Sequence, residues 1–343
     1  MSGAFLSSHE PLAVIFGCAG TRLSAGERDF FRAVRPTGFI LFRRNCETSE
    51  QIRGLVATLR DAARRPEAPV LIDQEGGRVA RLGPPHWRRY PPAADIASLG
   101  GKRAEEAAFL AARLIADDLG ALGISIDCMP VLDLPVADAD PIIGDRAYGS
   151  DPATVARLGR AVAEGLLAGS VLPVIKHIPG HGRAAVDSHL ALPRVATDRE
   201  TLERTDFAPF RALNDMPWAM TAHVLLEAID ADRAATLSAE VIDTVIRASI
   251  GFDGVLISDD LSMQALGGTI GARAHDALAA GCDLALHCNG DLGEMKQVAA
   301  AASTITANAM RRLERGEALR VRPLAFDRAA GEARLDELLE TVA

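Results

Sequence analysis

VLPVIKHIPGHGRAAVDSHLALP (residues 171–193) changes character halfway along. A run of aliphatic residues ends at Lys176 and His177, and a loop punctuated by Gly and Pro then carries His181, Asp187 and His189. An apolar run that closes on polar residues reads as a strand buried on both faces, the kind found in parallel sheets. Seven further runs repeat the pattern: LAVIFGCAG (12–20), GFILFRRN (38–45), VLIDQEGG (70–77), ISIDCMPVLD (124–133), WAMTAHV (218–224), GVLISDD (254–260) and DLALHCN (283–289). Longer stretches rich in Ala, Leu, Arg and Glu separate them, such as EEAAFLAARLIADDLGALG (105–123), ATVARLGRAVAEGLLAG (153–169) and LSAEVIDTVIRASI (237–250). Asp151 before Pro152, and Ser238, are helix start signals. Eight such strands alternating with helices predict an α/β fold, a closed (β/α)8 TIM-type barrel in preference to an open doubly wound sheet. The open sheet lacks its usual signatures, because no GxGxxG follows the first strand and no GxxxxGK[ST] occurs.

Beyond about residue 291 the pattern is helical: a long Ala-rich helix through TITANAMRRLERG, a polar link, and a short final helix in RAAGEARLDELLETV. That is too little for a second α/β domain. Residues 1–343 are therefore read as a single barrel domain, with the barrel over about 12–315 and a helical tail over about 316–343.

Composition narrows the function. The chain has 343 residues, 48% hydrophobic and 24% charged, with a net charge of −9, which describes a globular protein with ample core. No Lys/Arg-rich run concentrates positive charge, so nucleic acid is not an expected partner. MSGAFLSSHEP at the N-terminus lacks the basic and apolar regions of a secretion signal, and no segment reaches the roughly 18 apolar residues of a membrane span. A cytoplasmic protein without a membrane partner is expected, as a monomer or weak oligomer. Five cysteines, an odd number lying mostly in apolar runs, read as reduced core thiols. No CxxC pair suggests a structural zinc site, and neither metal nor organic cofactor is expected.

In parallel barrels the working residues close the strands at their C-terminal ends. Here those residues are Asp73, Asp133, Lys176, His177, His223, Asp259, Asp260, His287 and Asn289. Any one of them can be a solvated loop residue or a helix cap; together they predict a polar mouth. Asp259 and Asp260 are strand neighbours, so one is expected in the mouth and the other as a buttress for LSMQALGG. DQEGGRVARL (73–82) sets Asp73 and Arg81 around a Gly76-Gly77 turn. Such a pair suits bidentate hydrogen bonds to sugar hydroxyls or a carboxylate, although a bland surface turn has the same composition.

Two chemistries fit the three histidines of the opening stretch. With Asp259 and His223 they could ligate zinc, but His177 and His181 lie on a Pro-Gly loop and no HxH pair ends the first strand. Acid/base catalysis is the preferred reading, with the Asp187 carboxylate two residues before His189 fixing the tautomer of its ring.

DQEGGRVAR, IIGDRAYG (142–149), KHIPGHG (176–182), DSHLALP (187–193) and GFDGVLISDDLSM (251–263), in that order, resemble the motif series of glycoside hydrolase family 3, and most closely its bacterial β-N-acetylhexosaminidases of cell-wall recycling. The resemblance runs from about residue 12 to 310. It implies a retaining exo-β-N-acetylglucosaminidase acting on peptidoglycan fragments, with Asp259 as nucleophile and His189, assisted by Asp187, as acid/base. It further implies that Asp73, Arg81, Arg146, Lys176 and His177 grip the N-acetylglucosamine unit. The usual retaining template has two carboxylates roughly 5 Å apart; a neutral imidazole avoids a second anion beside Asp259. Ile178 departs from the family pattern where an aromatic is common, and Ser249 where a charged or amide residue is preferred. A phosphorylase, with phosphate in place of water, is the alternative in carbohydrate chemistry. A zinc-dependent hydrolase would lose activity to a chelator, and a sugar-binding protein without catalysis would not need Asp259, Asp187 and His189.

Overall fold

The computed structural model describes residues 10–340. All eight apolar runs are strands: β1 (Leu12–Phe16), β2 (Pro36–Leu41), β3 (Val70–Ile72), β4 (Ile126–Asp127), β5 (Leu172–Ile178), β6 (Trp218–Thr221), β7 (Val255–Asp260) and β8 (Leu284–His287). They pair in parallel in chain order, and β1 pairs with β8, so the sheet closes into a barrel. The open-sheet alternative is thereby excluded.

Each strand is apolar on both faces because each face meets a different core. Ile40 of β2 points into the barrel with Ile15, Leu71, Val174 and Ile257, while its neighbours Phe39 and Leu41 pack outward against the helices. The alternation is that of any β-strand, with both sides dry. The predicted start signals operate. The Asp151 side chain accepts the Thr154 N–H to cap the helix Pro152–Ala168, and the Ser238 hydroxyl accepts the Val241 N–H. Helices Gly101–Leu122 and Pro152–Ala168 cross so closely at Gly165 that a Cβ there would stand 2.5 Å from the Phe109 carbonyl oxygen.

The long helix expected after residue 291 is instead two, Leu292–Ala301 and Ala307–Glu317. Between them SerThrIleThr adopts extended backbone: the Ala13 N–H donates to Ser303 O and the Ile305 N–H to Pro11 O, while Thr306 caps the second helix. Three β-branched residues in a row favour that detour, and β1 supplies backbone partners for it. The final helix, Arg328–Glu340, docks on Gly101–Leu122 through Arg328–Asp118 and Arg334–Glu106 ion pairs. Its expected last residues, Thr341 and Val342, lie outside the described residues, as does the reading of Met1–His9.

All five cysteines are free thiols, and Cys18, Cys128, Cys282 and Cys288 are buried. Among the described residues no helix is long and apolar enough to cross a membrane.

Candidate active site

The C-terminal rim of the barrel holds a box of charges. Asp73 follows β3, and Lys176 lies in β5, where the ladder to β6 slips between Lys176 and Ile178 so that both Lys176 and His177 face the mouth. Asp73 accepts from Lys176 Nζ at 2.9 Å through Oδ1 and from the Arg81 guanidinium at 2.8 Å through Oδ2. The chain then runs through a tight hairpin, Gln74–Gly76 against Val79–Ala80, which returns Arg81 to Asp73 and places Glu75 beside the same lysine. Glu75 takes Lys176 Nζ at 2.6 Å and Nε and Nη2 of Arg146 at 2.9 and 2.8 Å. Lys176 is thus wedged between two carboxylates with 1% of its surface exposed.

Burial alone would push these groups toward their neutral forms, but the opposite charges outweigh it. Lys176 and Arg81 hold Asp73 well below the usual carboxylate range, Lys176 and Arg146 lower Glu75 to about 2, and the two carboxylates raise Lys176. Because both carboxylates sit below their unfolded values of roughly 4, their stabilisation is complete above about pH 5 and is lost as the pH falls toward 2. Denaturant titrations at pH 7, 4 and 2.5 are expected to show Glu75→Gln well below wild type at pH 7 and the gap closing in acid; a gap constant with pH would contradict the network.

Three cations face two carboxylates in this box, and Asp259 is the third. It is the penultimate residue of β7, half-buried, with Oδ1 accepting the Asp260 N–H at 2.7 Å. Burial would raise its pKa, yet nearby His223, His177 and Lys176 keep it below the usual range, so it stands ionised at neutral pH. His223 is fully buried. Its Nε2 lies 3.1 Å from the Asp260 carbonyl, which can only accept, so Nε2 carries the proton and Nδ1 accepts from the Thr236 hydroxyl at 2.7 Å. The Asp260 carboxylate accepts from the Ser262 N–H and hydroxyl and from the Cys288 N–H, the buttress expected of one of the two aspartates.

The three histidines of the opening stretch go separate ways. His177 Nδ1 donates to Asp133 Oδ2 at 2.6 Å, in a carboxylate with no exposed surface that also takes the His181 backbone N–H at 2.7 Å. His181 is buried with its Nε2 3.0 Å from the Ser188 hydroxyl. His189 is exposed, and its Nδ1 lies 2.8 Å from Asp187 Oδ1, the spacing predicted for an oriented imidazole. Among the described residues no group of three or more His, Cys, Asp or Glu side chains is arranged to hold a metal, so the ligand set of the zinc reading is not assembled.

A cavity of about 260 Å3 opens at the mouth, lined by Asp73, Arg81, Arg146, Lys176, His177, His189 and Asp259. These are the expected site residues, with Asp187 reaching the cavity through His189. Phe42 forms a wall, its ring flanked by the guanidiniums of Arg44 and Arg81, each 5.0 Å from the centroid. Sequence reasoning assigned no role to Glu75 or Phe42. The D-x-E spacing around Gly76-Gly77 was the available signal for Glu75; nothing in GFILFRRN marked the aromatic.

An ionised aspartate and a carboxylate-oriented histidine on one cavity, beside a box of hydrogen-bonding charges on a barrel rim, are the equipment of a (β/α)8 enzyme for polyhydroxylated substrates. The glycosyl hydrolase family 3 N terminal domain matches residues 19–320. The chain belongs to that family of glycoside hydrolases. It is 40% identical over 283 residues to the beta-hexosaminidase of Alkalilimnicola ehrlichii, covering 80% of each chain, and 38% identical over 280 residues to that of Pseudomonas aeruginosa, covering 81% of this chain and 82% of the other. Among solved structures, native NagZ from Neisseria gonorrhoeae aligns over 96% of this chain and 98% of its own with a TM-score of 0.86 and 32% identity. NagZ in complex with N-trifluoroacetyl-D-glucosamine aligns with a TM-score of 0.84 at the same identity and coverage.

Proposed function

We propose that this protein is a retaining exo-β-N-acetylglucosaminidase that removes a terminal N-acetylglucosamine from peptidoglycan fragments in the cytoplasm. The observation that carries the reading is the pairing, on one cavity, of ionised Asp259 with the His189–Asp187 dyad. The beta-hexosaminidase relatives and the amido-sugar complex of NagZ support the choice of sugar.

In the first step an Asp259 oxygen attacks the anomeric carbon, the bond to the leaving oxygen breaks, and protonated His189 gives that oxygen its Nε2 proton while Nδ1–H stays on Asp187. In the second step the neutral imidazole takes a proton from water, whose oxygen displaces Asp259, and the configuration is retained. Asp73, with lone pairs left beyond Lys176 and Arg81, accepts from sugar hydroxyls, while Arg81, Arg146, Lys176 and His177 donate. A cavity of about 260 Å3 takes one sugar unit and not a chain, which favours action at the non-reducing end. The barrel, over about 12–315, and its helical tail act as one catalytic unit, monomeric or weakly associated, with no cofactor.

His189→Ala is expected to lower kcat/KM on aryl β-N-acetylglucosaminides with poor leaving groups by roughly 10²- to 10⁴-fold and to flatten the pH profile, while sparing dinitrophenyl substrates, which need no proton. Equal losses on both substrates, or inhibition of wild type by a chelator, would sink the acid/base assignment. Running the assay with phosphate, and looking for sugar 1-phosphate, separates hydrolysis from phosphorolysis.

A further inference from the structure

Between Asp187 and His189, both of which reach solvent, Ser188 is turned inward and only 3% exposed. Its hydroxyl lies 3.0 Å from His181 Nε2, and its carbonyl accepts the Ala265 N–H at 3.1 Å, from the loop that follows Asp259 and Asp260. His181 is in turn fixed to the barrel wall, since its backbone N–H donates to Asp133 and Gly182 next to it has no room for a Cβ, which would fall 2.1 Å from the Leu134 carbonyl oxygen. The acid/base loop is otherwise held by little: Val186 is 41% and Leu190 70% exposed, and the loop's turn is closed by its own Asp187 carbonyl.

Resting on the reading of His189 as acid/base, we propose that His181 and Ser188 are positioning residues that latch the loop, holding His189 at the cavity through their side-chain hydrogen bond. The barrel end of the latch is rigid and the loop end is a single serine. Burial lowers the pKa of His181 to about 4, so the imidazole is neutral in the working range and Ser188 Oγ is the one partner its ring has. A neutral ring and a hydroxyl make a hydrogen bond that opens and recloses without the desolvation penalty of an ion pair. Such a bond suits a loop that must admit substrate and release product. A loop that loses the bond populates open conformations, in which substrate binds the sugar box but receives no proton.

The experiment compares Ser188→Ala, which leaves the Ala265 contact intact, with His181→Gln and His189→Ala. It reads kcat/KM on dinitrophenyl and on methylphenyl β-N-acetylglucosaminides. Ser188→Ala and His181→Gln are each expected to lower activity on the poor leaving group by roughly three- to tenfold, the effect of one neutral hydrogen bond, and to leave the dinitrophenyl substrate unchanged. The double variant should lose no more than either single one, since both break the same contact. In a His189→Ala background, adding Ser188→Ala should change nothing. Losses that are equal on both substrates, or absent, or additive in the His189→Ala background would overturn the latch. If His189→Ala itself spares the methylphenyl substrate, the acid/base reading fails first, and the two failures are told apart.

Discussion

Asp259→Ala is expected to reduce turnover on the order of 10⁴-fold or more while leaving the fold intact, because in the proposed mechanism the residue supplies the bond-forming atom and not a share of its activation. The side chain makes one hydrogen bond, from the Asp260 N–H, so its removal disturbs little beyond the charge it adds to the box. Sodium azide is the decisive addition. A small anion entering where the carboxylate stood attacks the anomeric carbon from the same face, and because nothing displaces it afterwards the product is the α-glycosyl azide. Formation of that azide with a dinitrophenyl substrate identifies the nucleophile; activity above a tenth of wild type, or azide without effect, rejects it. Asp260 is no substitute, since its oxygens are already taken by Ser262 and the Cys288 N–H.

The largest effect on stability belongs to Lys176→Met. The replacement keeps the buried stem and deletes the cation shared by Asp73 and Glu75, leaving two carboxylates side by side with Arg81 and Arg146 as their only charged partners. Breaking a buried pair in this way costs about 3–5 kcal/mol, against at most about 1 for an exposed pair such as Arg199–Glu203. The loss should be greatest at neutral pH and smaller at pH 4, where one carboxylate takes up a proton. Urea denaturation of Lys176→Met and wild type at both pH values checks the magnitude and the sign of the pH dependence together. A Lys176→Met protein as stable as wild type would mean that the box is solvated and its charges screened.

The strands of the barrel were legible because each is apolar on both faces and stops at a polar residue, a pattern that a two-sided burial imposes on sequence. The box of charges was legible at Asp73, Lys176 and His177 as residues that close strands and at Arg81 beside the Gly76-Gly77 turn, whereas Arg146 came only from the matched motif. Glu75 was not, since a carboxylate two residues after another looks like more of the same loop until the hairpin folds it against Lys176. Asp133 was noted as a strand-end residue, but its hold on both His177 and the His181 backbone depends on a loop closing back over β4, which no local pattern encodes. Ser188 was read past as the middle of a motif, and its inward turn is a tertiary fact. The helix break at Ser303–Ile305 follows from a partner, β1, some 290 residues away in the chain, which outweighs the helical preference of the Ala-rich flanks.

The exposure of His189 gives the site two unlike halves. One half is a fixed frame of ion pairs; on the other side His189, the proposed proton donor, stands at the water's edge with 60% of its side chain exposed. A catalyst built so is strict about what it removes and indifferent to what it removes it from. On the proposed function, substrates that differ only in the group left behind should all be processed at similar rates. The same asymmetry instructs inhibitor chemistry: bulk appended on the side of His189 should gain little affinity, and selectivity should come from groups that reach the ion-pair frame.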